Sequence, residues 1–194
     1  MSHNFFPHPS FFFLFTALLI SLLTIVSCNE DTNSALEFEP EPAIGSFLVT
    51  GTVNREVSGE ATFQIKTLNN TTALEIIILD EFTDEFQLDL FLTYQGDGQI
   101  PGTGTYSIGG DPDETDIFRA YLTFFGSGFG DGVLFSTDLL DDAGLLVITE
   151  STAERISGTF QFEAQTFDLP GDEPAFIAIQ NGEFSAVSDI ISNL

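Results

Sequence analysis

Apolar and polar residues alternate along several segments of this chain, and this period of two is the strongest constraint on its fold. In residues 86–94 every second position is Phe, Leu or Tyr, with Gln87, Asp89 and Thr93 among the positions between them. Such alternation places one face of a β-strand against a core and the other toward water. The same pattern recurs in three further segments, residues 47–53, 63–65 and 156–164. These segments predict half-buried strands.

Two other segments, residues 74–79 and 145–148, are apolar at almost every position. They predict central strands or strands covered on both faces, although period alone leaves a buried helix open. Turn residues separate the segments at residues 69–70, 96–98, 109–112, 130–132, 142–144 and 170–171. About ten strands at spacings of roughly a dozen residues predict an all-β fold. We expect antiparallel strands in a sandwich or an up-and-down barrel, with little helix beyond one short turn near residues 138–142.

The charge balance of the chain is strongly acidic. Its 194 residues include 30 Asp and Glu but only 4 Lys and Arg, which gives a formal net charge of −26. Nucleic-acid binding and docking on anionic lipid through a basic patch both depend on Lys and Arg, so we expect neither. Hydrophobic residues still make up 43% of the chain, which is enough apolar material for a packed core.

The residues that carry most enzyme and metal chemistry are confined to the N-terminus. His3, His8 and Cys28 are the only His and Cys in the sequence. A domain that begins after them cannot build Ser-His-Asp or Cys-His nucleophilic sites, nor zinc sites with the usual nitrogen and sulfur ligands. Such a domain also lacks the His and Cys side chains that commonly bind haem iron and iron–sulfur clusters. We therefore expect a non-enzymatic domain.

Residues 11–27 form an uncharged apolar run that ends at a small residue before the sole cysteine. This is the layout of a secretory signal peptide with its cleavage site, and the run is at the short limit for a spanning helix. The preceding residues carry no Lys or Arg, in contrast to most signal peptides. The alternative is a membrane-anchor helix with an unmodified thiol, but such a helix is normally followed by basic residues and none follow here.

The sequence IVSC at residues 25–28 resembles the lipobox of bacterial lipoproteins, with Ile25 where that family usually has Leu. The resemblance implies that Cys28 becomes the first mature residue and carries acyl chains such as palmitate. The acidic residues 29–31 resemble the export signal of surface-exposed lipoproteins of the Bacteroidota. Together they imply a lipid-anchored protein of the cell envelope, held at the outer membrane and facing either the periplasm or the exterior.

Three regions follow from these patterns: a lipoprotein signal peptide at residues 1–27, the lipidated Cys28 and an acidic tether at residues 28–44, and one β domain at residues 45–194. Near its end, residues 157–164 and 181–186 resemble the C-terminal hairpin of small, largely uncharacterised β-rich lipoproteins of the Bacteroidota. That resemblance implies the fold and the cell-envelope location but no activity.

One acidic loop is a candidate metal site. It follows two glycines and spaces its carboxylates closely, at Asp111, Asp113, Glu114 and Asp116. We interpret it first as a solvated surface turn, with calcium as the alternative because hard cations favour several oxygen ligands. It lacks the central Gly and distal Glu of an EF-hand loop. Weaker versions of the same cluster occur at residues 80–85 and 138–142.

The leading functional hypothesis is a membrane-anchored, exported lipoprotein whose β domain acts in binding or in envelope structure. Its partner would be a protein, a glycan or an apolar ligand. One alternative is a lipocalin-like carrier, because a barrel lined by Phe can hold a hydrophobic ligand. The other is a carboxylate-dependent hydrolase, which needs two carboxyl groups held on opposite sides of one bond.

Overall fold

The computed structural model describes residues 42–68, 71–95, 99–110, 117–126, 132–138, 140–167, 169 and 174–189. Within these residues the chain forms ten β-strands and no helix. The strands are β1 (Ile44–Gly51), β2 (Arg55–Leu68), β3 (Thr71–Asp80), β4 (Phe86–Gln95), β5 (Gly104–Ile108), β6 (Phe118–Phe124), β7 (Val133–Ser136), β8 (Gly144–Ser151), β9 (Arg155–Thr166) and β10 (Ala175–Ser188). The predicted all-β class is confirmed.

All ten strands belong to one sheet whose pairings close into a circuit. On one side, β1 pairs with β2, β2 with β3, β3 with β4, and β4 with β6, each time antiparallel. On the other side, β8 pairs with β9, β9 with β10, and β10 with β1, also antiparallel. β5 pairs with β8 and makes one parallel contact with β6, while β7 bridges β6 and β9. The sheet is therefore barrel-like and mixed, with β4–β6 and β5–β8 pairs that a simple up-and-down barrel lacks.

We call β2, β3, β4 and β6 the regular wall, because the registers between them are unbroken. The alternation predicted for residues 86–94 is confirmed here: Leu88, Leu90 and Leu92 are buried. Asp89 lies on the opposite, half-buried face. Strict period-two patterning is enough to define both faces of a regular antiparallel strand.

We call β8, β9, β10 and β1 the bulged wall, because three of its registers shift. In β10 the shift falls between Ile179 and Gly182, and the two residues between them, Gln180 and Asn181, are both exposed. Asn181 has a positive φ of 52°, which Asn tolerates better than most residues. This β-bulge changes the inward phase, so Ile179 before it and Phe184 after it both face the core.

The apolar segments at residues 74–79 and 145–148 form central strands, which confirms one of the two predictions made for them. The other prediction, burial of both faces, is wrong. Leu74, Ile76 and Ile78 are fully buried, but Leu79 is exposed. In β8, Leu145 is also exposed. Hydrophobic composition alone did not reveal this one-sided burial.

The inward-facing side chains form one hydrophobic cluster that draws on strands from the whole circuit. Glycines on the inner face are part of this packing. A Cβ at Gly45 would lie 2.7 Å from the side chain of Ile78, and a Cβ at Gly182 would overlap the ring of Phe160. In these places the interior has no room for one additional methyl group.

The barrel-like sheet has two ends. At the proximal end β2 ends with Leu68 and β3 begins with Thr71. At the opposite, distal end lie the turn between β1 and β2 and the turn between β3 and β4. The distal end also holds the end of β9 and the start of β10.

Candidate functional site

The site residues predicted from the sequence lie outside the described residues. This applies to the lipidation site, Cys28, and to the four carboxylates of the acidic loop, Asp111, Asp113, Glu114 and Asp116. The residue that precedes the loop is described. Gly110 forms a bridge with Asp138, and its N–H donates to the carbonyl of Leu140 at 2.9 Å. The loop therefore begins beside the connection between β7 and β8.

The other acidic clusters have internal partners. The Asp80 carboxylate is buried and accepts hydrogen bonds from the backbone N–H groups of Phe82 and Thr83 and from the Thr83 hydroxyl. Glu85 is 2.9 Å from Arg55. These contacts make the acidic turn a capped surface turn, and over the residues that the structure describes no group of three acidic, His or Cys side chains is arranged to hold a metal ion.

A polar cluster on the outer face of β6 and β7 is the most enclosed arrangement of ionisable groups in the described part of the chain. Its members are Arg119, Tyr121 and Asp138. Only 9% of the Arg119 side chain is exposed, and its Nε lies 3.9 Å from Asp138 Oδ1. The Tyr121 hydroxyl donates to the Asp138 carboxylate, at 3.2 Å from each oxygen.

The end of β7 positions this cluster. Thr137 is fully buried, and its N–H donates to the carbonyl of Ala120 at 3.1 Å. Its hydroxyl accepts a bond from the N–H of Ala120 at 2.9 Å. The next residue is Asp138, whose N–H donates to Ser136 Oγ. Because β7 is fixed to β6 in this way, the Asp138 carboxylate is held beside Arg119 and Tyr121.

The electrostatics of the cluster keep its phenol protonated. Burial raises the pKa of Tyr121, and the negative charge of Asp138 and the hydrogen bond to it raise the pKa further. The Arg119 guanidinium acts in the opposite direction. At neutral pH, Tyr121 is therefore a hydrogen-bond donor and not a base or a nucleophile. The cluster is suited to holding strands together and to presenting polar groups.

A second ionisable group lies on the same wall. Burial raises the pKa of the Asp89 carboxyl, the hydrogen bond from Gln87 lowers it, and the nearby charge of Glu75 raises it. Glu75 itself accepts a hydrogen bond from Gln64 and lies 3.8 Å from Lys66. Both carboxylates project from the outer face of the sheet and have partners on neighbouring residues. They do not face each other across a cleft, as glycoside hydrolysis requires.

Four concave sites lined by described residues lie over the bulged wall or the loops beside it. The largest has a volume of about 450 Å³, and the outward side chains Gln161, Glu163 and Gln180 line it together with Asp141 and Asp142. A neighbouring groove of about 360 Å³ continues past Leu145. Amide and carboxylate groups on these surfaces are suited to polar or cationic ligands and not to an apolar molecule.

Sequence reasoning missed the Arg119, Tyr121 and Asp138 cluster. Alternation within β6 places Arg119 and Tyr121 on one face, which a period-two reading of that segment could have shown. The partner carboxylate could not have been identified, because it comes from the next strand through the Tyr121–Ser136 register. That register depends on where β7 pairs with β6. Because the sequence alone does not give the length of the loop between the two strands, the register could not be predicted.

The described residues contain no helix of the length and apolar character needed to cross a membrane. The chain matches no known protein-family model, and no curated protein and no solved structure is significantly similar to it.

Proposed function

We propose that this protein is an exported lipoprotein, anchored through Cys28, whose β domain has a non-enzymatic role in binding or envelope structure. The location follows from the signal-peptide layout and the lipobox resemblance at residues 25–28. Several acyl chains on one cysteine give stable membrane attachment, which a single chain does not. The outer membrane is the proposed site of attachment.

The observation that carries the binding role over the carrier role is the packed interior. Phe63, Phe118 and Phe135 are almost completely buried in one continuous core. The inward glycines at positions 45 and 182 leave no room for an added methyl group. A lipocalin-like carrier needs an internal cavity of several hundred Å³. Three of the concave sites described above instead open on the outside of the sheet.

The arrangement of the carboxylates favours a binding role over hydrolysis. Asp80 stabilises a turn, Asp138 accepts from Tyr121, and Glu75 accepts from Gln64. Each of these groups is therefore occupied by its own neighbours. A glycosidase acid needs a raised pKa and a second carboxylate across the scissile bond. The pKa of Asp89 is raised, but this residue lies on the outer face of the sheet and not in a cleft.

Metabolic labelling with a palmitate analogue tests the anchor. The wild-type chain is expected to incorporate label and to sediment with membranes, whereas Cys28→Ala should lose the label and leave the membrane fraction. Ser27→Ala is the matched control, since it keeps a small residue before the cysteine and should be labelled like the wild type. Unchanged labelling and membrane retention of Cys28→Ala would overturn the proposal.

A further inference from the structure

Exposed apolar side chains gather at the distal end of the sheet. Among the described residues, eight large hydrophobic side chains are exposed, and six of them lie near this end. We call these six the distal rim: Leu79, Phe82, Phe125, Leu134, Phe167 and Phe176. The other two are Ile44, which lies two strands from Leu79 through their common partner Glu60, and Leu145, which pairs with Gln161 lower on the bulged wall. Isolated exposed apolar residues are ordinary, but a group at one end of a domain marks an interaction surface.

The strand pairings connect the first four members of the distal rim. The N–H of Phe125 donates to the carbonyl of Glu85 at 2.8 Å, which places Phe125 beside the turn that carries Phe82. Gln87 pairs with Leu79 on one side and with Thr123 on the other, and Thr123 pairs with Leu134. Leu79 and Leu134 therefore lie on one row of the outer face.

The remaining members continue this row onto the bulged wall. Gln165 pairs with both Ser136 and Phe176. Leu134 is two residues before Ser136 and Phe167 is two residues after Gln165, so the antiparallel direction brings both toward the distal end on the same face. Phe167 and Phe176 are diagonal neighbours, within reach of aromatic side chains.

Phe82 is the most exposed member, at 80%, and its backbone is held in place by hydrogen bonds. The buried Asp80 carboxylate accepts from the Phe82 N–H at 3.1 Å and from the Thr83 N–H at 3.4 Å. Asp84, at the end of the turn, has a positive φ of 53°. An ordered turn that presents an aromatic ring to solvent loses little conformational entropy when a partner covers the ring.

The charge around the distal rim selects the partner. Glu81 and Asp84 are exposed in the same turn as Phe82. Arg55 is a basic side chain at this end, and its charge is matched by Glu85 at 2.9 Å. The whole chain has only 4 Lys and Arg against 30 Asp and Glu. Phe rings beside carboxylates attract Lys and Arg through cation–π contacts and through charge.

We propose that the distal rim is a docking surface for a cationic, apolar segment of another protein. This inference rests on the proposed binding role and not on the lipid anchor. A second copy of this chain would bring two acidic rims together, and an anionic bilayer would be repelled.

A fluorescent peptide that alternates Lys with Phe is the probe, titrated into the full-length chain in mild detergent and followed by anisotropy. The wild-type protein should bind, and raising the salt concentration should weaken binding because the contact is partly ionic. The double variant Phe82→Ser with Phe167→Ser should bind about tenfold more weakly, as expected when central aromatic contacts are removed. The control is Leu145→Ser, which removes a side chain of 45% exposure from the bulged wall, away from the rim, and should bind like the wild type.

Three outcomes would overturn the proposal: no measurable binding of the Lys–Phe peptide, equal binding of a matched Glu–Phe peptide, or equal weakening by Leu145→Ser. Sedimentation of the chain as a dimer that Phe82→Ser dissociates would assign the rim to self-association instead. Binding to phosphatidylcholine vesicles that Phe82→Ser abolishes would assign it to a lipid surface. Each variant is checked for an unchanged melting temperature. Failure of palmitate labelling would affect only the anchor, so the two proposals fail separately.

Discussion

The regular wall and the bulged wall enclose the same core in different ways. In the regular wall, unbroken registers let β-branched and Leu side chains fill the interior at every second position, as Ile76 and Leu90 do. In the bulged wall, register shifts and inward glycines accommodate Phe rings, as at Gly158 beside Phe184. The regular wall therefore keeps its inward residues in one alternating phase, whereas the bulged wall combines shifted registers with glycines that lie against Phe rings.

Removing volume from the regular wall should have the largest effect. Ile76 is fully buried, so Ile76→Ala should lower the free energy of unfolding by about 2–5 kcal/mol, through lost burial and the cavity left behind. The neighbouring residue is a matched control, because Ile77 projects from the outer face and is only partly buried. Ile77→Ala should cost clearly less. Urea denaturation measures both variants, and equal losses would contradict the one-sided burial of β3.

Adding volume to the bulged wall should have a smaller but clear effect. A Cβ at Gly158 would overlap the carbonyl oxygen of Val147 and lie 3.0 Å from the ring of Phe184. We expect Gly158→Ala to destabilise the protein by about 1–3 kcal/mol, because backbone must move. A Cβ at Gly102 would meet no atom within 4 Å, so Gly102→Ala should leave the stability almost unchanged. Thermal or urea denaturation compares the two variants, and a Gly158→Ala protein as stable as the wild type would indicate that this wall packs loosely.

A substitution on the outer face of the regular wall should have the smallest effect on stability, and this effect should depend on pH. Because the pKa of Asp89 is raised, the folded state holds its proton more tightly than the unfolded chain, and ionisation of Asp89 opposes folding as the pH rises. Asp89→Asn should therefore raise the melting temperature at neutral pH. After allowance for solvent screening, the gain should stay below about 1 kcal/mol.

This gain should shrink as the pH falls through the raised pKa of Asp89 in the folded state, and it should be lost below 3.8, the ordinary pKa of Asp, where Asp89 is protonated in both states. Asp141→Asn is the control, since it removes the same charge from an exposed turn. Thermal melts of both variants across the acid range provide the measurement. A stabilisation by Asp89→Asn that is independent of pH would mean that burial of the carboxylate is not its cause.

The two walls also differ in how far the sequence could predict them. The faces of β4 follow directly from the alternation in residues 86–94, since no bulge interrupts that strand. In β10 the inward residues change from odd to even numbers at Asn181, so a single alternating pattern cannot place both Ile179 and Phe184. Where the chain leaves regular pairing, local period no longer reports burial.

The polar cluster and the distal rim were beyond sequence reasoning for a related reason. Arg119 and Asp138 meet only because β7 pairs with β6 in one register. Phe125 lies beside the turn that carries Phe82 only because β6 pairs with β4, a strand that is not its chain neighbour. Non-local pairing of this kind depends on the energy of the whole sheet. The lipobox resemblance and the acidic loop, in contrast, are local patterns, so they can be recognised in the sequence without knowledge of the strand pairing.

The bulge in β10 has a consequence for insertions and deletions. Deleting either Gln180 or Asn181 would restore simple alternation and leave Phe184 and Ala186 facing the core. A one-residue deletion in the middle of β4, which has no bulge, would instead turn the residues beyond it to the opposite face. The bulge is therefore the place in β10 where the loss of one residue should be best tolerated.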